Sequence, residues 1–254
     1  MINNTWRNLY ENVKKYDSES QMNYLKLIGK VRELPLEVLE NEEAIFIPNE
    51  TYVTAFAGSN AALNENGFYY NGEAIWHDYL IFPIRNINNE AKGIGGFCPR
   101  LYLQAKETND YSLHYYSYSG KSLFNKGAYL FWGRDGFTKA YEAGYVILVD
   151  GMFDAIQLRR LGFNAAALMG SYLTDAIIAQ LRFFKKIIIV TDNDEAGFKL
   201  ETKLGFIHKN CAYLRQSFDK DIDGAIKAGY KSIIEKELNV MIEEKMAINH
   251  IIRI

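Results

Sequence analysis

Residues 145–197 read YVILVDGMFDAIQLRRLGFNAAALMGSYLTDAIIAQLRFFKKIIIVTDNDEAG and contain two short apolar runs, 146–149 and 187–190. Neither run alternates with polar residues, which is typical of strands buried on both faces of a parallel sheet that helices cover. An acidic residue follows the first run directly and the second run after one threonine. The segment therefore predicts an α/β domain with acids gathered at the carboxyl ends of its strands.

The acids form two spaced motifs. Asp150 and Asp154 belong to a D-G-x-x-D sequence, and Asp192 and Asp194 belong to a D-x-D-x-x-G sequence. In open parallel sheets the ligand crevice lies beyond the carboxyl ends of the strands. Four carboxylates in one crevice repel each other unless a hard cation lies among them, which predicts a magnesium site. A D-x-D alone is more often a solvated turn, so the prediction depends on both motifs following buried strands.

Composition excludes several classes of protein. The 254 residues are 48% hydrophobic and 24% charged, with a net charge of −2, so a phosphate-binding surface would have to be a local patch. Cys98 and Cys211 stand far apart without a C-x-x-C motif. This excludes a four-cysteine zinc site, argues against a disulfide scaffold and predicts a reducing, cytoplasmic location. The polar N-terminus predicts no signal peptide, and no apolar run approaches the length of a membrane span.

The first 140 residues have a different texture. Helical spacing of apolar residues predicts helices up to about residue 40. Short β-rich segments then predict a mixed or antiparallel sheet: AIFIP, TYVTAF, GFYY, YLIFPI and GIGGF. Residues 85–139 contain eight Lys or Arg against four Asp or Glu, a local balance of +4, with tyrosines interleaved. This mixture suits single-stranded nucleic acid, although an ordinary half-exposed sheet would give the same pattern.

Several motifs resemble a known family. The two acidic motifs resemble the toprim domain of primases, topoisomerases and some nucleases. YLIFPI at 79–84 and GFCPR at 96–100 resemble the R-x-M-F-P-I and G-F-G-G-R segments of DnaG-type bacterial and phage primases. HYYS at 114–117, FNKG at 124–127 and KDID at 220–223 resemble further segments of that family in the same order. The resemblance covers about residues 22–230 and is to the primase catalytic core.

The resemblance implies a fold and an organisation. The expected fold is a toprim domain, Rossmann-like with a mainly parallel sheet, preceded by a basic mixed α+β subdomain. The expected boundaries are 1–140 for the helical and basic RNA-polymerase-like subdomain, 141–230 for the toprim domain and 231–254 for a helical tail. The family's zinc-binding and helicase-binding domains are expected to be missing, as in a compact phage-like core. GSYLT at 170–174 resembles the start of the next helix, with Thr174 as its N-cap.

The resemblance also implies site residues. Mg²⁺ or Mn²⁺ would be held by carboxylates, namely Asp150, Asp192, Asp194, Asp221 and Asp223. Asp154 would join Asp150, Asp192 and Asp194 as a catalytic residue, by binding a second ion or orienting the ligands. Template or triphosphate would be bound by Arg100, His114, Tyr115, Lys121 and Lys126. The family has Glu where Asp150 stands, Arg at Tyr79, Gly-Gly at Cys98-Pro99 and Lys at His114.

These implications predict a primase-type nucleotidyltransferase, a DNA-directed RNA polymerase of DNA replication that makes short RNA primers on single-stranded DNA. Nucleoside triphosphates would be its substrates, and a replicative helicase or a separate zinc-bearing protein could be its partner, with no role for a membrane. Two alternatives stay open at this point. One is a metal-dependent toprim nuclease. The other is a catalytically weakened module that binds single-stranded nucleic acid.

Overall fold

The chain divides into two compact units, 1–85 with 90–125 and 86–89 with 126–254. The division falls earlier in the chain than residue 140, because Leu130 and Trp132 belong to the core of the second unit. The functional boundaries predicted above stay a prediction. The computed structural model describes residues 2–58, 67–70, 73–110, 112, 118–119, 126–169, 173–190, 195, 199, 202–205, 208, 210–215, 217–219, 221–243 and 250–253.

The first unit opens with helices and continues as a sheet. Its helices are α1 Ile2–Tyr16, α2 Ser18–Arg32, α3 Leu36–Asn41, α4 Tyr52–Ala57 and α5 Pro99–Thr108. Its strands are β1 Ile45–Ile47, β2 Tyr69–Tyr70, β3 Glu73–Ala74, β4 Tyr79–Arg85, β5 Ala91–Phe97 and β6 Tyr118–Ser119. The order β1-β4-β5-β6 is antiparallel throughout, and β2 pairs with β3 as a separate antiparallel ribbon. The predicted helices and antiparallel sheet are therefore confirmed.

One helix, α4, occupies a segment that was predicted to be β-rich, and another, α5, begins just after the last such segment. TYVTAF is rich in β-branched and aromatic residues, yet it forms most of α4. Tyr52 and Val53 are buried in the same core as α1, and Asn12 of α1 donates a hydrogen bond to the Phe56 carbonyl. This packing overrides the weak local preference for a strand. Pro99 begins α5, where its missing N–H has no helical partner to lose, so the Cys98-Pro99 sequence starts a helix.

The second unit is built on one parallel sheet. Its strands are β7 Tyr145–Val149, β8 Ala165–Ala167, β9 Lys186–Val190, β10 Cys211–Arg215 and β11 His250–Arg253. The order β11-β10-β9-β7-β8 is parallel at every pairing. Its helical segments include a 3₁₀ turn Lys126–Ala128, α6 Gly136–Ala143, α7 Met152–Arg160, α8 Asp175–Leu181, α9 Ile222–Ala225, a π turn Ile226–Tyr230 and α10 Lys231–Glu243, and residues 202–205 are also helical.

The two unalternated apolar runs are the central strands of this sheet. Residues 146–149 of β7 and all of β9 are buried, as the absence of alternation predicted. Lys186 is buried as well, and its ammonium donates to the carbonyls of Met241 and Ile242 at 2.7 and 2.9 Å. A cation at the C-terminal carbonyls of α10 is favourable because these carbonyls carry the negative end of the helix dipole.

The tail differs from its prediction. α10 is helical and buries Ile234, Leu238 and Met241, but the chain then adds β11 to the edge of the sheet, parallel to β10. β11 has only four residues, which are too few for the periodicity of apolar residues to distinguish a strand from a helix. None of the helices in the described ranges is long and apolar enough to cross a membrane.

Candidate functional site

The edge where β7 ends carries the first acidic motif. Asp150 follows β7, is half-buried, and accepts a hydrogen bond from the N–H of Met169 through its backbone carbonyl. Gly151 is the N-cap of α7, and a Cβ there would lie 2.3 Å from Oδ2 of Asp154. No side chain fits at that distance, so the glycine lets the Asp154 carboxylate lie against the turn. Local packing therefore requires the glycine of the D-G-x-x-D motif, because it lies against Asp154.

Asp154 connects this turn to the last acidic segment. Its side chain is 7% exposed, and its Oδ1 accepts a hydrogen bond from the backbone N–H of Asp223 at 2.9 Å. The two residues are 69 positions apart, so the structure brings the strand–helix turn after β7 together with the start of α9. The family resemblance placed both segments at one acidic rim; the hydrogen bond brings them together, and the roles of these acids stay a prediction.

Asp223 is buried and both its carboxylate oxygens have protein partners. Oδ1 accepts a hydrogen bond from Nε2 of Gln157 at 2.9 Å, and Oδ2 lies 2.7 Å from the ammonium of Lys227. Gln157 is fully buried, and its own Oε1 accepts from Arg160 at 3.2 Å. Sequence reasoning missed Gln157 and Lys227. The i,i+4 spacing of Asp223 and Lys227 could have indicated their ion pair. The local sequence contains no signal for the contact between Gln157 and Asp223, which are 66 positions apart.

The loop before α9 contains two more carboxylates. Asp221 is the N-cap of α9, because its Oδ1 accepts from the N–H of Gly224 at 2.7 Å. A Cβ on Gly224 would meet the carboxylate of Asp219 at 2.5 Å, so that carboxylate also lies against this helix start. The rings of Phe218 and Tyr230, on either side of this segment, stack with centroids 4.0 Å apart. The carboxylates of Asp219 and Asp221 are favoured at the start of α9 because the N-terminus of a helix is electropositive.

Asp192 and Asp194 lie outside the described residues. The strand that precedes them is described: Val190 ends β9 in register with Val149, the last residue of β7. Both strands are parallel and neighbouring, so they end at the same edge of the sheet. Within the described ranges no three His, Cys, Asp or Glu side chains lie close enough together to hold a metal ion. Carboxylate oxygens are ligands that magnesium prefers, so the acidic side chains at this edge are of the right type to bind it. The described carboxylates alone do not form a complete set of metal ligands.

Neither cysteine is a candidate nucleophile. Cys98 and Cys211 are free and buried. Burial raises the pKa of the Cys211 thiol to about 12 and raises that of Cys98 above its ordinary value. Both thiols are therefore neutral near pH 7, and the candidate reactive groups of the site are carboxylates.

Comparisons with known proteins agree with this geometry. Residues 147–226 match the family described as Toprim-like. The DNA primase of Rickettsia felis is 29% identical over 194 residues, which are 69% of this chain and 30% of that protein. The DNA primase of Neisseria meningitidis is 27% identical over 192 residues, 70% of this chain and 31% of that protein. The chain thus spans about a third of the length of the curated relatives that it matches.

A solved structure matches across both units. The structure described as the DnaG primase catalytic domain bound to ssDNA superimposes with a TM-score of 0.69 and 21% identity, and covers 93% of this chain and 79% of that chain. This chain has the fold of a DnaG-type primase catalytic core. The predicted fold class, a toprim domain with a parallel sheet preceded by a mixed α+β unit, is confirmed, and the sequence resemblance to DnaG-type primases is confirmed with it.

The residues predicted to bind nucleotide or template are only partly described. Arg100 lies on α5 with a largely exposed side chain, 3.6 Å from a carboxylate oxygen of the partly exposed Asp78. Lys126 begins the 3₁₀ turn, and only the course of its backbone is described. His114, Tyr115 and Lys121 lie outside the described residues.

Two members of the predicted basic and aromatic patch are not on the surface. Arg85 is buried and forms an ion pair with the buried Glu43. Tyr102 is buried too, with the guanidinium of Arg32 5.0 Å from its ring centre. The sequence left a nucleic-acid surface and an ordinary half-exposed sheet open for this region, and at these two positions the side chains are buried. A count of charges and rings along the chain does not report burial.

Proposed function

We propose that this chain is a primase-type nucleotidyltransferase that makes short RNA primers on a single-stranded DNA template. The observation that supports it most is the contact between Asp154 and Asp223, which joins two acidic segments at the carboxyl edge of the toprim sheet. The relatives named DNA primase and the shared fold of the DnaG catalytic domain support the same reaction. Primer synthesis joins a 3′-hydroxyl to the α-phosphate of a nucleoside triphosphate.

Magnesium, or manganese in its place, is the proposed cofactor. Asp150, Asp192 and Asp194 would hold it, and Asp221 borders the same edge. When bound, the ion would neutralise triphosphate charge and lower the pKa of the attacking hydroxyl. Asp150 has one methylene less than the Glu of the family, so we propose that it reaches the ion through water or through an inward shift at Gly151. Magnesium keeps coordinated waters readily, which makes a water-mediated contact acceptable.

The remaining residues would bind the other substrates. We propose that Arg100, Lys121 and Lys126 pair with phosphates, that His114 donates a hydrogen bond to a phosphate, and that Tyr115 stacks on a base. The exposed position of Arg100 suits this role, because its ion pair with Asp78 is solvent-exposed and contributes little to stability. A replicative helicase or a separate zinc-bearing protein as partner, and a cytoplasmic location, belong to the same proposal.

Incubation with single-stranded DNA, labelled nucleoside triphosphates and magnesium tests the reaction. We expect short RNA products that require the template. Asp192→Asn and Asp194→Asn should each abolish synthesis with the melting temperature unchanged, because both remove ligand charge and relieve carboxylate repulsion. Shortened DNA without incorporation would indicate a nuclease instead. Binding of DNA with neither reaction would indicate a nucleic-acid-binding module, and full synthesis by either variant would contradict the assignment of these ligands.

A further inference from the structure

The acidic rim contains a buried polar network that the proposed reaction does not use directly. Gln157, Asp223 and Lys227 are joined by two contacts of 2.9 and 2.7 Å, and the backbone of Asp223 is bound to Asp154. The side chain of Lys227 is 18% exposed and that of Asp223 is 8% exposed. A buried carboxylate with two such partners is already neutralised and hydrogen-bonded.

The network leaves Asp223 poorly disposed to bind a metal ion. A divalent cation at these oxygens would be repelled by the ammonium of Lys227 and would compete with the amide of Gln157 for the carboxylate lone pairs. Asp150 is half-buried at a strand end, and Asp221 caps α9 by accepting from the N–H of Gly224. The two acids of the D-I-D sequence therefore occupy different environments, although their spacing suggests equal roles.

The geometry points to Lys227 and Gln157 as positioning residues that hold the Asp223 carboxylate against α7. So held, the backbone N–H of Asp223 orients the Asp154 carboxylate, and the acidic loop before α9 is fixed beside the turn that carries Asp150. Asp223 itself then orders the site without binding the metal ion. This inference rests on the proposed function for its catalytic consequence, while the network itself does not depend on it.

A double-mutant cycle tests the pairing without any assay of activity. Lys227→Met removes the ammonium group from beside a buried carboxylate, so the melting temperature should fall by about 5 °C or more. Asp223→Asn added to Lys227→Met removes that charge and should recover most of the loss. Lys231→Met is the matched control, because Lys231 pairs with Glu235 at the same i,i+4 spacing on an exposed surface and should change the melting temperature by less than about 1 °C. A double variant no more stable than Lys227→Met would overturn the pairing.

Calorimetric titration with Mn²⁺ tests the metal assignment. We expect Asp223→Asn to keep the dissociation constant within about twofold of the unsubstituted protein, whereas loss of a true ligand weakens binding by about tenfold or more. A tenfold loss in Asp223→Asn would therefore overturn the inference. If the unsubstituted protein bound no Mn²⁺ at all, the proposed function would fail, and the melting temperatures would still decide the network.

The kinetic signature separates positioning from simple stability. At a temperature where every variant is folded, Lys227→Met should lower kcat for nucleotide incorporation by about tenfold with Mn²⁺ affinity nearly unchanged, and Lys227→Arg should restore most of it. Gln157→Leu should act in the same direction as Lys227→Met, because it removes the other donor to Asp223. Unchanged kcat in Lys227→Met would show that the network only stabilises the fold.

Discussion

Among the described residues, each compact unit contains a largely buried carboxylate–cation pair, and these two pairs have different roles. Arg85 and Glu43 are 42 positions apart and tie the end of β4 to the turn after α3. Asp223 and Lys227 are one helical turn apart and are extended by Gln157 to α7. The first pair joins distant parts of a scaffold, and the second fixes a loop beside acids that are candidates for catalysis. A buried pair is therefore informative about function only together with the residues that its partners contact.

The largest effect should come from an acid that belongs to neither pair. Asp150→Ala should lower primer synthesis about a thousandfold or more, because it removes a carboxylate proposed to act on the metal ion, whose charge stabilisation is worth several kcal/mol. Since Asp150 is half-buried at a strand end, the melting temperature of the Asp150→Ala protein should change little. Steady-state incorporation and thermal unfolding measure the two quantities on the same sample.

The control for this change is Asp150→Glu, which restores the longer Glu side chain that the family has at this position. We expect it to retain or raise activity. An active Ala variant beside an inactive Glu variant would mean that Asp150 only ends β7, and that the site is built from Asp192 and Asp194 alone.

The pair in the first unit should behave as a structural contact. Arg85→Met leaves Glu43 buried without its cation and should lower the free energy of unfolding by about 3 kcal/mol or more. The double variant Arg85→Met with Glu43→Gln should recover part of that loss. Chemical denaturation with a common slope measures both values. A fall in kcat for the fully folded Arg85→Met protein would contradict the contrast between the two pairs.

The parallel sheet could be predicted from sequence because its signal is local. Unalternated runs with acids behind them located β7 and β9, and Thr174 was correctly predicted as an N-cap. The missed features depend on packing or on contacts between distant positions. α4 is a helix in spite of strand-favouring residues, and Arg85 is buried because Glu43 is there to pair with it.

The same limit applies to the candidate site. The family resemblance placed Asp154 and the D-I-D segment at one rim, and the backbone N–H of Asp223 donates to the Asp154 carboxylate. The acidic spacing could not indicate that Asp223 is held by Gln157 and Lys227 while Asp221 caps a helix, because identical side chains two residues apart give the same pattern. Partners of a carboxylate are set by tertiary structure, which periodicity does not encode.

The smallest effect concerns a contact that carries no charge. Thr174 caps α8 by accepting from the N–H of Ile177 at 3.3 Å, and its hydroxyl donates to the carbonyl of Gly127 in the 3₁₀ turn. Gln180 of α8 donates to the neighbouring Ala128 carbonyl at 3.0 Å, so α8 holds the turn that begins with Lys126 at two points. Thr174 therefore stabilises a helix and a proposed phosphate-binding turn together.

Thr174→Ala should lower the free energy of unfolding by about 1 kcal/mol, the usual cost of losing an N-cap hydroxyl. Thr174→Ser keeps the hydroxyl and should lose only a few tenths of that amount. Because Gln180 still holds Ala128, the 3₁₀ turn should stay in place and the KM for nucleoside triphosphate should rise by no more than about twofold. A large rise in KM for Thr174→Ala, absent from Thr174→Ser, would show that an uncharged hydroxyl positions the turn as strongly as Lys227 is proposed to position Asp223.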